Sequence, residues 1–232
     1  MSPEDWHLRA DDRWPPGQRS RFPDPRDARG DIVALGDDLT IDALRDAYFH
    51  GIFPWPVEGL PLPWFSPRRR AILDFGDLRI DRTLRRSLRR STLSFTIDTA
   101  FNRVIEACAT ASRPDQEGTW ILPEIIEAYV LLNRRGDAHS VEAWDGGRLV
   151  AGVYGVDAGG LFTGESMFHL EDDASKLALL YLVRHLASRG AEWIDIQQLT
   201  PHMVRLGARE IPRGAFLDRL ASTQAKRLVL FG

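Results

Sequence analysis

In Asp195–Ile196–Gln197 a carboxylate and a carboxamide flank one apolar residue. Strand alternation turns both polar groups to one face and Ile196 to the other, so a strand here presents an acceptor and a donor–acceptor to one shared site. A hydrogen-bonded structural pair at a strand end is the plain alternative. Strand positions facing a core normally avoid Asp, which favours the functional reading. Glu165, in TGESMF, stands between Gly164 and the run Ser166–Met167–Phe168. A carboxylate so placed is either partly buried and paired or in contact with a polar ligand. Val153, Phe162, Met167 and Leu182 each read singly as core, and only their association with Glu165 and Asp195 suggests an apolar pocket. Trp55 and Trp120 are equally compatible with packed core and with flat faces on which a base stacks.

Other chemistries are excluded by what is missing. His139, His169, His185 and His202 are scattered, and Cys108 is the one cysteine, so no metal site is expected. Gly164–Glu165–Ser166 lacks the G-x-S-x-G elbow of a serine hydrolase. No Walker loop and no glycine fingerprint follows a strand.

These residues need elements to position them. Thr40 caps a helix, IDALRDAYFHG, that closes at Gly51, and a proline-rich stretch, GIFPWPVEGLPLPWFSPRR, reads as an irregular segment held by aromatic packing. A domain boundary is placed just after it, giving a small N-terminal domain over 1–72 and a larger one over 73–232. Residues 1 to about 30 read as an arm laid over a surface, pinned by Trp6, Trp14 and Phe22. Asp81 caps a helix on which Arg82, Arg85, Arg86, Arg89 and Arg90 fall along one face with no acid between them. A solvated helix surface is the ordinary reading of such a run; the lack of alternating acids favours a phosphate-binding patch. Asp98 opens a further helix through Ala111, and Pro123 opens another that ends at Gly136. From there HSVEAW, LVAGVYGV and LFTGESMF, separated by glycine turns, read as an antiparallel meander. Asp173 caps the helix ASKLALLYLVRHLASR, the strand EWIDIQ follows, and Thr200, Pro201 and Gly207 mark a short helix. Three strands, a helix and a strand suit an α/β (α+β) acyl-transfer fold of the N-acetyltransferase type.

With 232 residues, 44% hydrophobic and 27% charged, the chain can bury a sizeable core. A net charge of −3 excludes a protein coated in positive charge, so a basic surface must be local. The single, buried-looking Cys108 excludes a disulfide-stapled fold. The opening residues lack the apolar core of a signal peptide and no apolar run is long enough to span a bilayer, so the expected location is the cytoplasm, without membrane association.

Taken together, ALGDDLTIDALRDAYFHGIFPW, WFSPRRRAIL, TWI, AHSVEAW, GVYGV, LFTGESMF, ASKLALLYL, IDIQ and LGAREIPR resemble the bacterial leucyl/phenylalanyl-tRNA–protein transferases, in one order from about Phe22 to Arg213. The resemblance implies an aminoacyltransferase that moves Leu or Phe, and less well Met, from aminoacyl-tRNA to the N-terminal Arg or Lys of a protein, marking it for degradation by the N-degron route. It implies a small N-terminal domain joined to an acyltransferase-like domain, no cofactor, and a monomer. By the same resemblance Gln197 contacts the attacking α-amino group, Asp195 polarises it, and Glu165 hydrogen-bonds the aminoacyl end. Val153, Phe162, Met167 and Leu182 form the side-chain pocket, Trp55 and Trp120 contact the terminal adenosine, and Arg82, Arg85 and Arg86 hold the acceptor stem.

The sequence departs from the family pattern at Phe65, the second aromatic of the WWSP motif, at Leu182 and Val153 in the pocket, and at Thr200 after IDIQ. A CoA-dependent N-acetyltransferase of the same fold is the competing reading, weakened because FHLEDDASK lacks the glycine loop that cradles a pyrophosphate. A noncatalytic RNA-binding protein is the third.

Overall fold

Strand β1 (Ile32–Leu35) precedes helix α1 (Ile41–Phe49), which starts where the Thr40 hydroxyl accepts from the Ala43 amide. The computed structural model describes residues 19–36, 38–57, 59–111 and 119–232. Trp6 and Trp14, the expected pins of the arm, lie outside them. Phe22 is buried against Trp64, with ring centroids 4.7 Å apart. The proline-rich stretch is more regular than its composition suggests: β2 (Phe53–Pro54) and β3 (Pro63–Phe65) pair with each other, and β3 pairs with β1, in a small antiparallel sheet of order β1-β3-β2. Proline is tolerated in strands this short because few ladder amides are needed.

The larger sheet has seven strands in the order β10-β4-β9-β8-β7-β6-β5. Chain order runs β4 (Arg69–Asp74), α2 (Arg82–Arg90), β5 (Ser94–Ile97), α3 (Phe101–Thr110) and α4 (Pro123–Arg135). The meander β6 (Ala138–Asp145), β7 (Arg148–Asp157) and β8 (Phe162–His169) follows, then α5 (Ala174–Ser188) and β9 (Trp193–Gln197). Helix α6 (Pro201–Arg205), β10 (Arg209–Pro212) and α7 (Arg213–Ala225) complete it. The fold is α+β. Strand β4 crosses residues 72 and 73 and belongs to this sheet, so the boundary read from composition falls inside a strand.

Helix α3 begins three residues later than its expected cap. Asp98 lies in the left-handed region at φ 55° and accepts from the Ser140 amide at 2.8 Å, tying the β5–α3 turn to β6 instead of capping. Asp173 likewise precedes α5 at φ 62° without a capping bond, its carboxylate taken by Ser87 and Lys176. Two apolar layers sandwich the sheet. One joins Tyr48, Ile52, Phe53 and Trp64 to Ile105, Tyr129 and Phe216; the other gathers Val153, Phe162 and Leu206 under Leu177 and Leu182 of α5. Cys108 is fully buried in the first. Among the described residues no helix is long and apolar enough to cross a membrane.

Candidate active site

Every strand pair in the large sheet is antiparallel except β8 with β9, which run parallel and share the single register pair Thr163–Asp195. Beyond that pair the two strands are no longer joined by ladder bonds, and side chains bridge the gap. The Gln197 carboxamide donates from Nε2 to Glu165 Oε1 at 2.7 Å.

Glu165 is aimed by a bulge. Tyr154 pairs with Ser166 and Gly155 with Gly164, which leaves Glu165 as the extra residue of β8. An extra residue shifts the strand's two-residue alternation and re-aims one side chain. Glycine is required opposite, because a Cβ on Gly155 would lie 2.2 Å from the Thr163 carbonyl oxygen. The carboxylate therefore reaches the layer containing α1 and α4, where Tyr48 donates to Oε1 at 2.7 Å and the Tyr129 hydroxyl stands 3.5 Å from Oε2. The two tyrosine hydroxyls are in turn hydrogen-bonded to each other. Desolvation pushes the Glu165 carboxyl up to about 8, against the opposing Tyr48 bond, with the Asp195 charge adding to the rise and Arg70 offsetting part of it. Burial, reinforced by the Glu165 charge, holds both tyrosines well above the ordinary phenol range.

Asp195 occupies a different environment two residues before Gln197. It is fully buried, and Arg70 grips it with both arms: Nε donates to Oδ1 at 2.8 Å and Nη2 to Oδ2 at 2.6 Å. The Thr163 hydroxyl donates to Oδ2 at 3.2 Å and the Gln197 amide to Oδ1 at 2.9 Å. The guanidinium lies between the Phe53 and Phe216 rings, 4.6 Å from each centroid, and its Nη1 donates to the Gly51 carbonyl at 3.3 Å. Cation–π contact and bidentate pairing together suit arginine and not lysine. Gln197 sits at φ 60°, a left-handed conformation that a non-glycine residue adopts only when its surroundings hold it there. The bond from its amide to Asp195 is part of that hold.

Asp195 thus meets the Gln197 backbone, and the Gln197 carboxamide faces Glu165. Val153, Phe162 and Leu182 are buried in the layer under α5, while Met167, packed against it, keeps part of its surface. Trp55 and Trp120 stack on each other, centroids 5.2 Å apart and planes at 24°, with Trp120 buried and Trp55 half-buried. They form one aromatic shelf instead of two separate faces. Arg82, Arg85, Arg86, Arg89 and Arg90 are all exposed along α2, and none forms an ion pair with a described residue. Thr200 caps α6, accepting from the Met203 amide at 3.3 Å. Phe65 stacks on Phe53 at 6.1 Å.

Tyr48, Tyr129 and Arg70 were not among the candidates read from sequence. Tyr48 reads there as part of an apolar helix face, and Arg70 is the last of three consecutive arginines. The available signal for Arg70 was its place two residues before Ile72 on an apolar strand, which alternation turns inward. No group of three or more His, Cys, Asp or Glu among the described residues is arranged to hold a metal ion. Two clefts of about 330 and 420 Å³, at Arg68–Arg213 and at His50–Leu217, contain none of these site residues.

Comparison with known proteins is consistent over both units. Residues 72–221 match the family model described as leucyl/phenylalanyl-tRNA protein transferase, and residues 37–68 match the model for the N-terminal domain of that family. A leucyl/phenylalanyl-tRNA–protein transferase of Anaeromyxobacter dehalogenans is 51% identical over 201 residues, covering 86% of each chain. One from Nitratidesulfovibrio vulgaris is 50% identical over 210 residues, covering 89% of this chain and 90% of its own. One from Shewanella denitrificans is 49% identical over 190 residues, covering 82% and 80%.

Proposed function

The chain belongs to the leucyl/phenylalanyl-tRNA–protein transferase family, and on that premise we propose that it transfers Leu or Phe, and less well Met, from aminoacyl-tRNA to the N-terminal Arg or Lys of acceptor proteins. The observation that carries this reading is the Gln197–Glu165 pair bridging the parted strands β8 and β9. An aminoacyl ester is already activated. The protein need only orient the acceptor amine, take a proton from it and stabilise the ester oxygen, which requires no nucleotide, metal or coenzyme.

Met167 borders the pocket while Val153, Phe162 and Leu182 shape its apolar wall, so discrimination among Leu, Phe and Met rests on shape and is limited to roughly 1–3 kcal/mol per methylene. The Trp55–Trp120 shelf receives the terminal adenosine, and the exposed arginines of α2 hold acceptor-stem phosphates without reading bases. Gln197 contacts the attacking amine, and carboxylates at the site complement a cationic acceptor. The chain acts as a monomer in the cytoplasm, the product entering N-degron degradation. The two units divide near Arg68, a reading supported by family matches of which one ends at residue 68 and the other begins at residue 72, and the larger has the N-acetyltransferase type of fold.

The test is transfer of labelled Leu, Phe and Met from their tRNAs to peptides beginning with Arg, Lys or Ala, by wild type and by Gln197→Ala. Transfer to Arg and Lys peptides but not to Ala, lost in the variant, is the expected result. No transfer from any tRNA, with acetyl-CoA bound in calorimetry, would give the site to acetyl transfer instead.

A further inference from the structure

Four donor atoms address Asp195: two from Arg70, one from Thr163 and one from the Gln197 amide. An ionised carboxylate offers about four acceptor positions, so Asp195 has no lone pair left for an incoming proton. It is also fully buried. Glu165 differs on each count. It retains part of its surface, Oε1 takes two hydrogen bonds, and Oε2 has only the long approach of Tyr129 at 3.5 Å. With the Tyr48 proton directed to Glu165, the Tyr129 proton satisfies Tyr48, which leaves Oε2 open.

We infer that Glu165 Oε2 accepts the proton of the attacking α-amine in the proposed aminoacyl transfer, and that Asp195 with Arg70 is a fixed ionic strut that positions the Gln197 backbone. The inference rests on the transferase reading. The neutral amine attacks the ester carbonyl carbon and a C–N bond forms as Glu165 takes one proton from nitrogen. The C–O bond to the ribose then breaks, and the same proton passes from Glu165 to the leaving ribose oxygen, returning the carboxylate. Gln197 fits this sequence, because an Nε2 that donates to Glu165 leaves Oε1 to accept from the amine beside it. The groups facing Glu165 are Tyr48 on α1, Tyr129 on α4, Arg70 on β4, and Asp195 and Gln197 on β9. Their combined effect supports the role, since a base poised near the working pH transfers protons most effectively.

The experiment measures single-turnover transfer of Phe from Phe-tRNA to a saturating Arg-initiated peptide between pH 6 and 9. Glu165→Gln, whose side chain is the shape of the neutral acid, is expected to lose about 10²–10⁴-fold in rate with aminoacyl-tRNA affinity within about threefold. Glu165→Ala is expected to recover activity with added formate, in proportion to the formate anion. Tyr48→Phe removes a donor to the carboxylate and is expected to move the rise of rate with pH to higher pH, a shift that the unchanged amine of the peptide cannot cause. A Glu165→Gln rate within about threefold of wild type, or an absence of formate rescue, would overturn the inference. Wild type that transfers from no aminoacyl-tRNA would instead overturn the transferase reading itself.

Discussion

Asp195 and Glu165 stand on neighbouring parallel strands and both bond to Gln197, yet they are solvated in opposite ways. Asp195 is surrounded by donors and carries its own cation, Arg70, into the core. Glu165 has neutral partners, two tyrosines and an amide, and the burial that raises its proton affinity is not offset by a cation in direct contact. The same functional group is thereby paired with a cation in one place and held by neutral donors in the other. What separates the two is the residue opposite each, and one strand of separation is sufficient distance.

The largest effect should come from breaking the ionic half. Arg70→Met leaves a buried carboxylate uncompensated and should cost about 3–5 kcal/mol in urea unfolding. The double variant Arg70→Met/Asp195→Leu should recover most of that stability without recovering transfer; a single-variant cost below about 1 kcal/mol would erase the contrast. Next in size is the pH response of the neutral half. Glu165 has a higher proton affinity folded than unfolded, so its penalty on the fold is absent below pH 4.5, grows through the interval to about 8 and is complete above it. Glu165→Gln should match wild type near pH 4 and be more stable by about 1–3 kcal/mol at pH 8.5, compared by urea unfolding at both. Equal stability at both would place the carboxylate in water.

Helix α2 supplies the mirror case, exposed arginines that form no ion pair with a described residue. Asp81→Ala removes the cap whose carboxylate accepts from the Leu84 amide at 2.7 Å, and should cost about 1 kcal/mol by thermal unfolding. Smallest in stability, within about 0.5 kcal/mol, are Arg82→Ala, Arg85→Ala and Arg86→Ala. Each that neutralises a phosphate should instead lower the slope of log affinity for aminoacyl-tRNA against log salt by about 0.9, read in a salt titration.

The parts of this arrangement legible in sequence are those with a local cause. The meander is marked by its glycine turns, α5 by its apolar period, α2 by Asp81, and the Asp195–Gln197 strand by alternation. Strands β4, β5 and β10 carry no such marks, being short or led by charged residues. The Arg70–Asp195 pair joins positions 125 residues apart, and the one local hint for Arg70 among three consecutive arginines is its place two residues before Ile72 on an apolar strand. Tyr48 and Tyr129 look like ordinary apolar-face residues because that is how their rings pack; only the hydroxyls reveal the site. The bulge at Glu165 is invisible for a similar reason, since it is defined by the partner strand and not by the residues that form it.

The Arg70 sandwich has a consequence for the order in which a growing chain becomes competent. Phe53 and Arg70 are drawn from the first third of the sequence and Asp195 and Phe216 from its last fifth, and Phe216 belongs to α7. Until α7 has left the ribosome, the guanidinium lacks one of its two aromatic walls and the strut behind Gln197 is unfinished. A nascent chain can fold its meander before this sandwich is able to close.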